Sequence, residues 1–303
     1  FRRYYRMPEP ELRDGPVAEQ AAVLRETLER AVLERLMSDV PLGSFLSGGL
    51  DSSIIAAVAA REIPSLHTFS VGLEGSADLE AARIVAGHIG STHHEYFMSE
   101  EEIFDKLPEI IYHLESFDQD LVRSAIPCYF TSRIASEHVK VILTGEGADE
   151  LFGGYTYYKE IDDREALNRE LRRSVSALHN INLQRVDRLT MAHSIEGRVP
   201  FLDLDMIEFA QTVAADLKLY GEPPVEKWIL RRAFEDLLPQ AIVWRDKQQF
   251  DEGSGVAALM ANHAGRMVSD AEFELFSDSF PEVYLRSKEE AYYFKLFNQV
   301  YPE

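Results

Sequence analysis

Residues 40–60, V-P-L-G-S-F-L-S-G-G-L-D-S-S-I-I-A-A-V-A-A, constrain this chain more than any other stretch. An apolar run ends in Ser47-Gly48-Gly49-Leu50-Asp51-Ser52-Ser53 and passes into a small-residue helical pattern, which reads as strand, tight turn and helix. Such a unit is a phosphate cradle. Gly48 and Gly49 reach backbone angles closed to other residues and let a ligand approach the main chain. The amides of the turn and of the helix's first turn then point at an anion that the helix dipole favours. The plainer alternative is an ordinary strand-to-helix turn capped by Asp51 or Ser52.

The remaining pattern builds a sheet around this unit. A helix is expected over residues 17–37, where Ala21, Leu24, Leu28, Val32 and Leu36 fall on one face. Further strands are expected at 67–73, 94–98 and 139–144, and helices at 79–89 (capped by Asp78), 101–114 and 124–137. This alternation predicts an α/β fold, a parallel sheet with right-handed crossovers and helices on both faces. Ligands of such sheets sit beyond the carboxyl ends of strands, here Ser47, Val71-Gly72 and Gly145. After residue 158 the pattern turns helical, at 163–179, 204–214, 226–237 and 255–268, with loops at 197–203 and 244–255. The expected plan is a proline-punctuated linker or arm over 1–16, an α/β core over 17–157 and a helical C-terminal part over 158–303.

Residues 144–155, T-G-E-G-A-D-E-L-F-G-G-Y, follow the last of these strands and carry Glu146, Asp149 and Glu150 in one glycine-rich turn. Carboxylates this close repel one another unless a cation or a proton-transfer role accommodates them. Asp149 is therefore a candidate metal ligand and Glu146 a candidate general base; a solvated acidic turn is the alternative. Asp51 is the second metal candidate, because a carboxylate beside phosphates needs a divalent cation such as magnesium between them. The cradle lacks the Lys-Ser/Thr ending of the kinase-type phosphate loop. Ser-Gly-Gly-Leu-Asp-Ser instead resembles the pyrophosphate loop of ATP pyrophosphatases, which implies cleavage of ATP between its first and second phosphates.

Taken in order, S-G-G-L-D-S-S, F-S-V-G-L, D-L-E-A-A-R, H-I-G-S-T-H-H-E, T-G-E-G-A-D-E-L-F-G-G-Y, R-L-T-M-A-H-S-I-E-G-R-V-P-F-L-D, W-R-D-K-Q-Q-F and Y-Y-F-K-L-F resemble the synthetase half of the glutamine-dependent asparagine synthetase family. The resemblance covers nearly the whole chain and implies an adenine nucleotide α-hydrolase-like fold. It implies ATP contacts from Phe45, Ser47, Gly48, Gly49, Asp51, Ser52, Val71, Thr144 and Gly145, and magnesium on Asp51 and Asp149. Phe45 stands where the family usually has leucine. Lys247, by itself one lysine in a polar loop, is matched to the lysine that steadies charge on the α-phosphate. The implied reaction joins aspartate to ATP as β-aspartyl-AMP, which ammonia then converts to asparagine with the help of Glu146. Arg123 and Arg198 suit the carboxylates of aspartate, since guanidinium matches a carboxylate bidentately, and serve equally well as structural ion-pair partners. Glu196 and Asp203 are expected to shape the pocket.

Glutamine-using members begin with a nucleophilic cysteine on an amidohydrolase domain, whereas this chain begins with Phe1. It is expected to be a processed product or a piece of something longer, using free ammonia or ammonia from an attached glutaminase domain or subunit. A homodimer is compatible with the chain. The formal net charge of -21 opposes a nucleic-acid partner, and with it a tRNA-modifying relative. No apolar run suggests a membrane span or a signal peptide. Cys128, the single cysteine, reads as core and suits a reducing, cytoplasmic setting. The closest rival activity is a β-lactam- or peptide-ring-closing adenylating enzyme; the β-lactam-forming relatives carry tyrosine at the position of Glu146. A non-catalytic nucleotide-binding subunit is opposed by the joint presence of Asp51, Glu146, Asp149 and Lys247.

Overall fold

The computed structural model describes residues 2, 5–9 and 11–302. Helix α1 (Val17–Glu34) buries Ala21, Leu24, Leu28 and Val32, the stripe that its sequence spacing dictates. Strand β1 (Leu42–Phe45) leads through the cradle into α2 (Leu50–Glu62), an almost wholly buried helix of small and aliphatic residues. Then come β2 (His67–Gly72), α3 (Ala77–Ile89), β3 (Thr92–Phe97), α4 (Glu100–Leu114) and α5 (Gln119–Ser136). The short β4 (Val141–Leu143) is buried throughout, as a strand covered on both faces must be. It is followed by α6 (Ala148–Phe152), α7 (Arg164–Ala177), α8 (Asn182–Ala192) and β5 (Glu196–Arg198).

The five strands are parallel throughout, in the order β3-β2-β1-β4-β5. Helices α1, α2 and α3 share one core with Leu42, Val141 and Leu143. On the opposite face Phe69 and Ile142 pack with Ala135 of α5, and Val71 packs with α4 and α5. Strand order reverses between β1 and β4, so the crevice beyond their carboxyl ends is the switch point where a doubly wound sheet takes its ligand.

Several sequence expectations shift. Asp78 does not cap α3: Ser76 is the N-cap and accepts from Leu79 N, while Asp78 lies inside the first turn and pairs with Arg245. The loop expected at 197–203 begins with β5, which pairs with β4 through Glu196↔Val141 and Arg198↔Leu143. The helix expected over 226–237 is instead the end of a two-strand hairpin, Leu219–Tyr220 with Val225–Glu226, and a short helix, Trp228–Ala233. Lys227 between them is in the left-handed region, at φ 55°, which interrupts any continuous helix. Of the arm expected over 1–16, residues 1, 3, 4 and 10 lie outside the described residues. Its remainder has no helix or strand and touches the surface near α7 through Arg172, which donates to Pro8 O.

Candidate active site

At the switch point a cavity of about 720 Å³ opens between the cradle, the turn after β4 and the segment 227–251. The cradle is braced from within: Ser47 N donates to Ser52 Oγ (3.2 Å) and Gly49 N to Ser47 Oγ (3.3 Å). Gly48 has φ 74°, and a Cβ there would come within 2.5 Å of Ala81 Cβ and of the backbone nitrogen of Ala82, so only glycine lets the turn sit against α3. No side chain caps α2 at Gly49. The first-turn amides are left for an anion, which the dipole of this thirteen-residue helix also favours.

Asp51, in that first turn, faces Asp149 of α6 across the cavity floor. One ammonium lies between them. Lys227 Nζ is 2.5 Å from Asp51 Oδ2 and 2.6 Å from Asp149 Oδ1, and its side chain is 2% exposed. Lys247 reaches Asp149 Oδ2 at 3.0 Å from the half-buried loop above. Burial alone would raise the Asp149 carboxyl, but Lys227 and Lys247 together hold it well below the usual carboxylate range. Lys247 responds in kind: against its own desolvation, Asp149 and Asp51 hold its ammonium above the ordinary lysine range. Gly154 is required nearby, because a Cβ there would collide with Asp149 Oδ1 and Lys227 Cε.

This floor fits a divalent cation. Asp51 Oδ1 and Thr144 Oγ1 are buried with no hydrogen-bond partner, and Asp149 Oδ1 faces the same floor with only the Lys227 ammonium, 2.6 Å away, beside it. Carboxylate oxygens are the hard ligands that magnesium takes.

On the next side of the cavity, Glu146 Oε1 accepts from the buried Arg185 of α8 at 2.5 Å. Glu150 lies deeper, accepting from Tyr155 Oη and Asn182 Nδ2 on a single oxygen, with Oε2 unpartnered. Burial and the adjacent Asp149 push its carboxyl up to about 7.

The fold thus brings Phe45, Ser47, Gly49, Asp51, Ser52, Val71, Thr144, Gly145, Glu146, Asp149 and Lys247 to one cavity. Gly48 turns away from it against α3. Arg123 and Arg198 do not line it. Arg123 grips Glu289 of the C-terminal helix with two hydrogen bonds, and Arg198 is spent on Glu196 and on the carbonyls of Arg35 and Met37. Likewise Glu196 is exposed at the sheet edge and Asp203 pairs with Arg35. Cys128 is fully inside, and burial pushes its thiol up to about 12, which leaves it inert. Lys227 and Arg185 were not singled out from the sequence. The only sign of Lys227 was a lysine set directly before the apolar run Trp228-Ile229-Leu230, where a polar residue ordinarily reads as a helix start.

The asparagine synthase family model matches residues 23–166 and 159–297. The chain is similar to glutamine-hydrolyzing asparagine synthetase 1 of Arabidopsis thaliana, 40% identical over an alignment of 299 positions that covers 92% of this chain and 51% of that protein. It is also similar to the glutamine-hydrolyzing asparagine synthetase of Triphysaria versicolor, 38% identical over an alignment of 322 positions that covers 100% of this chain and 55% of that protein. The chain spans about half the length of these relatives.

Proposed function

This chain belongs to the asparagine synthase family, and from that premise we propose that it performs the ATP-dependent amidation of aspartate to asparagine through β-aspartyl-AMP. The observation that carries the reading is the cavity floor: an uncapped helix start flanked by two facing aspartates whose charge is matched by two lysines. The amides of Leu50 to Ser52 would hold the phosphates that leave as pyrophosphate. Asp51 and Asp149 would hold magnesium, which when bound neutralises phosphate charge. The aspartate side chain attacks the α-phosphorus, and Lys227 and Lys247 stabilise the negative charge that develops there. Ammonia then attacks the activated acyl carbon, the acyl C–O bond breaks and AMP leaves with its electron pair, and Glu146, held toward the cavity by Arg185, takes the proton that the new amide must lose.

The ammonia would be supplied free or by a glutaminase domain or subunit, and a homodimer is compatible with this site. A cytoplasmic setting agrees with a lone, buried, reduced cysteine. No helix among the described residues is long and apolar enough to cross a membrane.

The test is pyrophosphate release from MgATP with aspartate and ammonium, with the amino-acid product identified by mass. Release that requires aspartate, with asparagine formed in equal amount, is expected. Release independent of aspartate overturns the assignment.

A further inference from the structure

At the other end of the sheet three histidines meet that play no part in the cavity. His67 opens β2, His94 lies on β3 and His138 stands two residues beyond the end of α5. The parallel register sets His67 opposite Thr92 and Phe69 opposite His94. Since side chains alternate along a strand, His67, Phe69 and His94 share one face, the face that α5 covers. His138 then closes over them from the turn after α5.

Their geometry is that of a donor set. One ring nitrogen from each of the three lies within 4.8 Å of the other two, and His67 Nδ1 is 2.9 Å from His94 Nε2. Ring centroids are separated by 4.0 Å (His94 to His138), 5.1 Å (His67 to His94) and 5.7 Å (His67 to His138). Three imidazoles bound tetrahedrally at zinc, with nitrogens roughly 2 Å from the ion, have centroids about 5 Å apart, so small side-chain rotations suffice. His67 and His94 are half-buried on Phe69, which limits their freedom, and His138 is exposed, which leaves a path from solvent. Among the described residues no carboxylate joins the set, so the chemistry is that of imidazole, which suits zinc, copper and nickel and does not suit magnesium or calcium.

We propose that His67, His94 and His138 form a binding site for one divalent transition-metal ion of the zinc type, with three imidazole ligands and a fourth position open to solvent. The ion displaces the proton shared between His67 and His94 and ties the amino ends of β2 and β3 to the turn after α5. Val71 and the cradle lie at the opposite ends of the strands, roughly 13 Å from His67 along β2, so the ion is separate from any magnesium on Asp51 and Asp149. The proposal does not rest on the adenylation chemistry, and its test does not use activity.

The probe is cobalt(II) added to untagged, chelator-treated protein in excess magnesium, which occupies carboxylate sites and leaves imidazole free. Expected is saturation at one equivalent, with the intense visible absorption of four-coordinate cobalt, and competition by zinc. His138→Ala removes an exposed ligand with little effect on folding and should weaken binding at least about tenfold, as should His94→Ala. His88→Ala, on the far side of α3, should leave it unchanged. Zinc should also raise the melting temperature of the native protein, and not that of His138→Ala, because an ion that binds only the folded chain stabilises it by mass action. No saturable absorption up to millimolar cobalt, or saturation unaltered by His138→Ala and His94→Ala, overturns the proposal.

Discussion

Lys227 Nζ lies between Asp51 and Asp149, the two aspartates proposed to hold magnesium, and its charge opposes theirs. Replacing it with methionine keeps the volume and strands Asp51 and Asp149 as buried, mutually repelling carboxylates, at a cost of about 3–5 kcal/mol. Millimolar magnesium should return more stability to Lys227→Met than it adds to the native protein, as read from melting temperature; an equal increment in both would separate Lys227 from the metal site. At Glu146 the two chemical steps come apart. Glu146→Gln should retain aspartate-dependent pyrophosphate release and lose asparagine formation, whereas full asparagine formation would remove Glu146 from the mechanism.

Glu150 gives a pH prediction. Its folded-state carboxyl titrates near 7, above its unfolded value of 4.5, because of burial and then Asp149. The folded state therefore binds the extra proton, and this group's contribution to stability declines as pH rises from 4.5 to about 7 and stays low above that. Glu150→Gln removes the decline, so its stability relative to the native protein should be higher at pH 8 than at pH 5 by up to a few kcal/mol. A difference independent of pH between denaturation curves would show that Glu150 is ionised throughout. Asp51, Glu146 and Asp149 were readable in the sequence because each sits in a glycine-marked turn next to an obvious strand or helix. Lys227 and Arg185 were not, because their meaning lies in partners 176 and 39 residues away.

At the scale of elements, what was legible followed hydrophobic period and burial. The stripe of α1 and the apolar runs of β2 and β4 mark themselves, since each must bury a face or both faces. Strand β5 did not, being three residues at the sheet edge with a glycine between two charges. Nor did the break at Lys227, where contacts made by Glu226 with Lys159 and Arg231 override an amphipathic pattern. The cradle is the element on which the site depends most, and its fit against α3 is testable. Gly48→Ala places a methyl against Ala81 in a backbone conformation that alanine resists, costing about 1–3 kcal/mol from the backbone alone. A lower melting temperature and weaker ATP binding are expected, with part of the loss recovered in the double variant with Ala81→Gly. Unchanged ATP affinity in Gly48→Ala would show that the turn does not hold phosphate.

For the whole molecule, the question is how the last helix is fastened to the helices that cover the sheet. The last helix, Lys288–Val300, packs on α4 and α5 through Tyr293, while Ala291 packs with Val268 and Leu285. The polar fastening is Arg123 on α5, which donates from two nitrogens to Glu289, a carboxylate 4% exposed that also accepts from Tyr293 Oη at 2.8 Å. With Nε and Nη2 given to Glu289, this guanidinium ties α5, whose Asp120, Leu121 and Ser124 line the cavity, to the last helix. Arg123→Ala and Glu289→Ala should each destabilise the fold by about 2–4 kcal/mol, with the double variant no worse than the more severe single one, since each alone leaves a desolvated charge unpaired. In enzyme that remains folded, the KM for aspartate should stay near that of the native protein in Glu289→Ala and Arg123→Ala alike. A large rise in that KM confined to Arg123→Ala, with stability unchanged, would instead return Arg123 to the substrate.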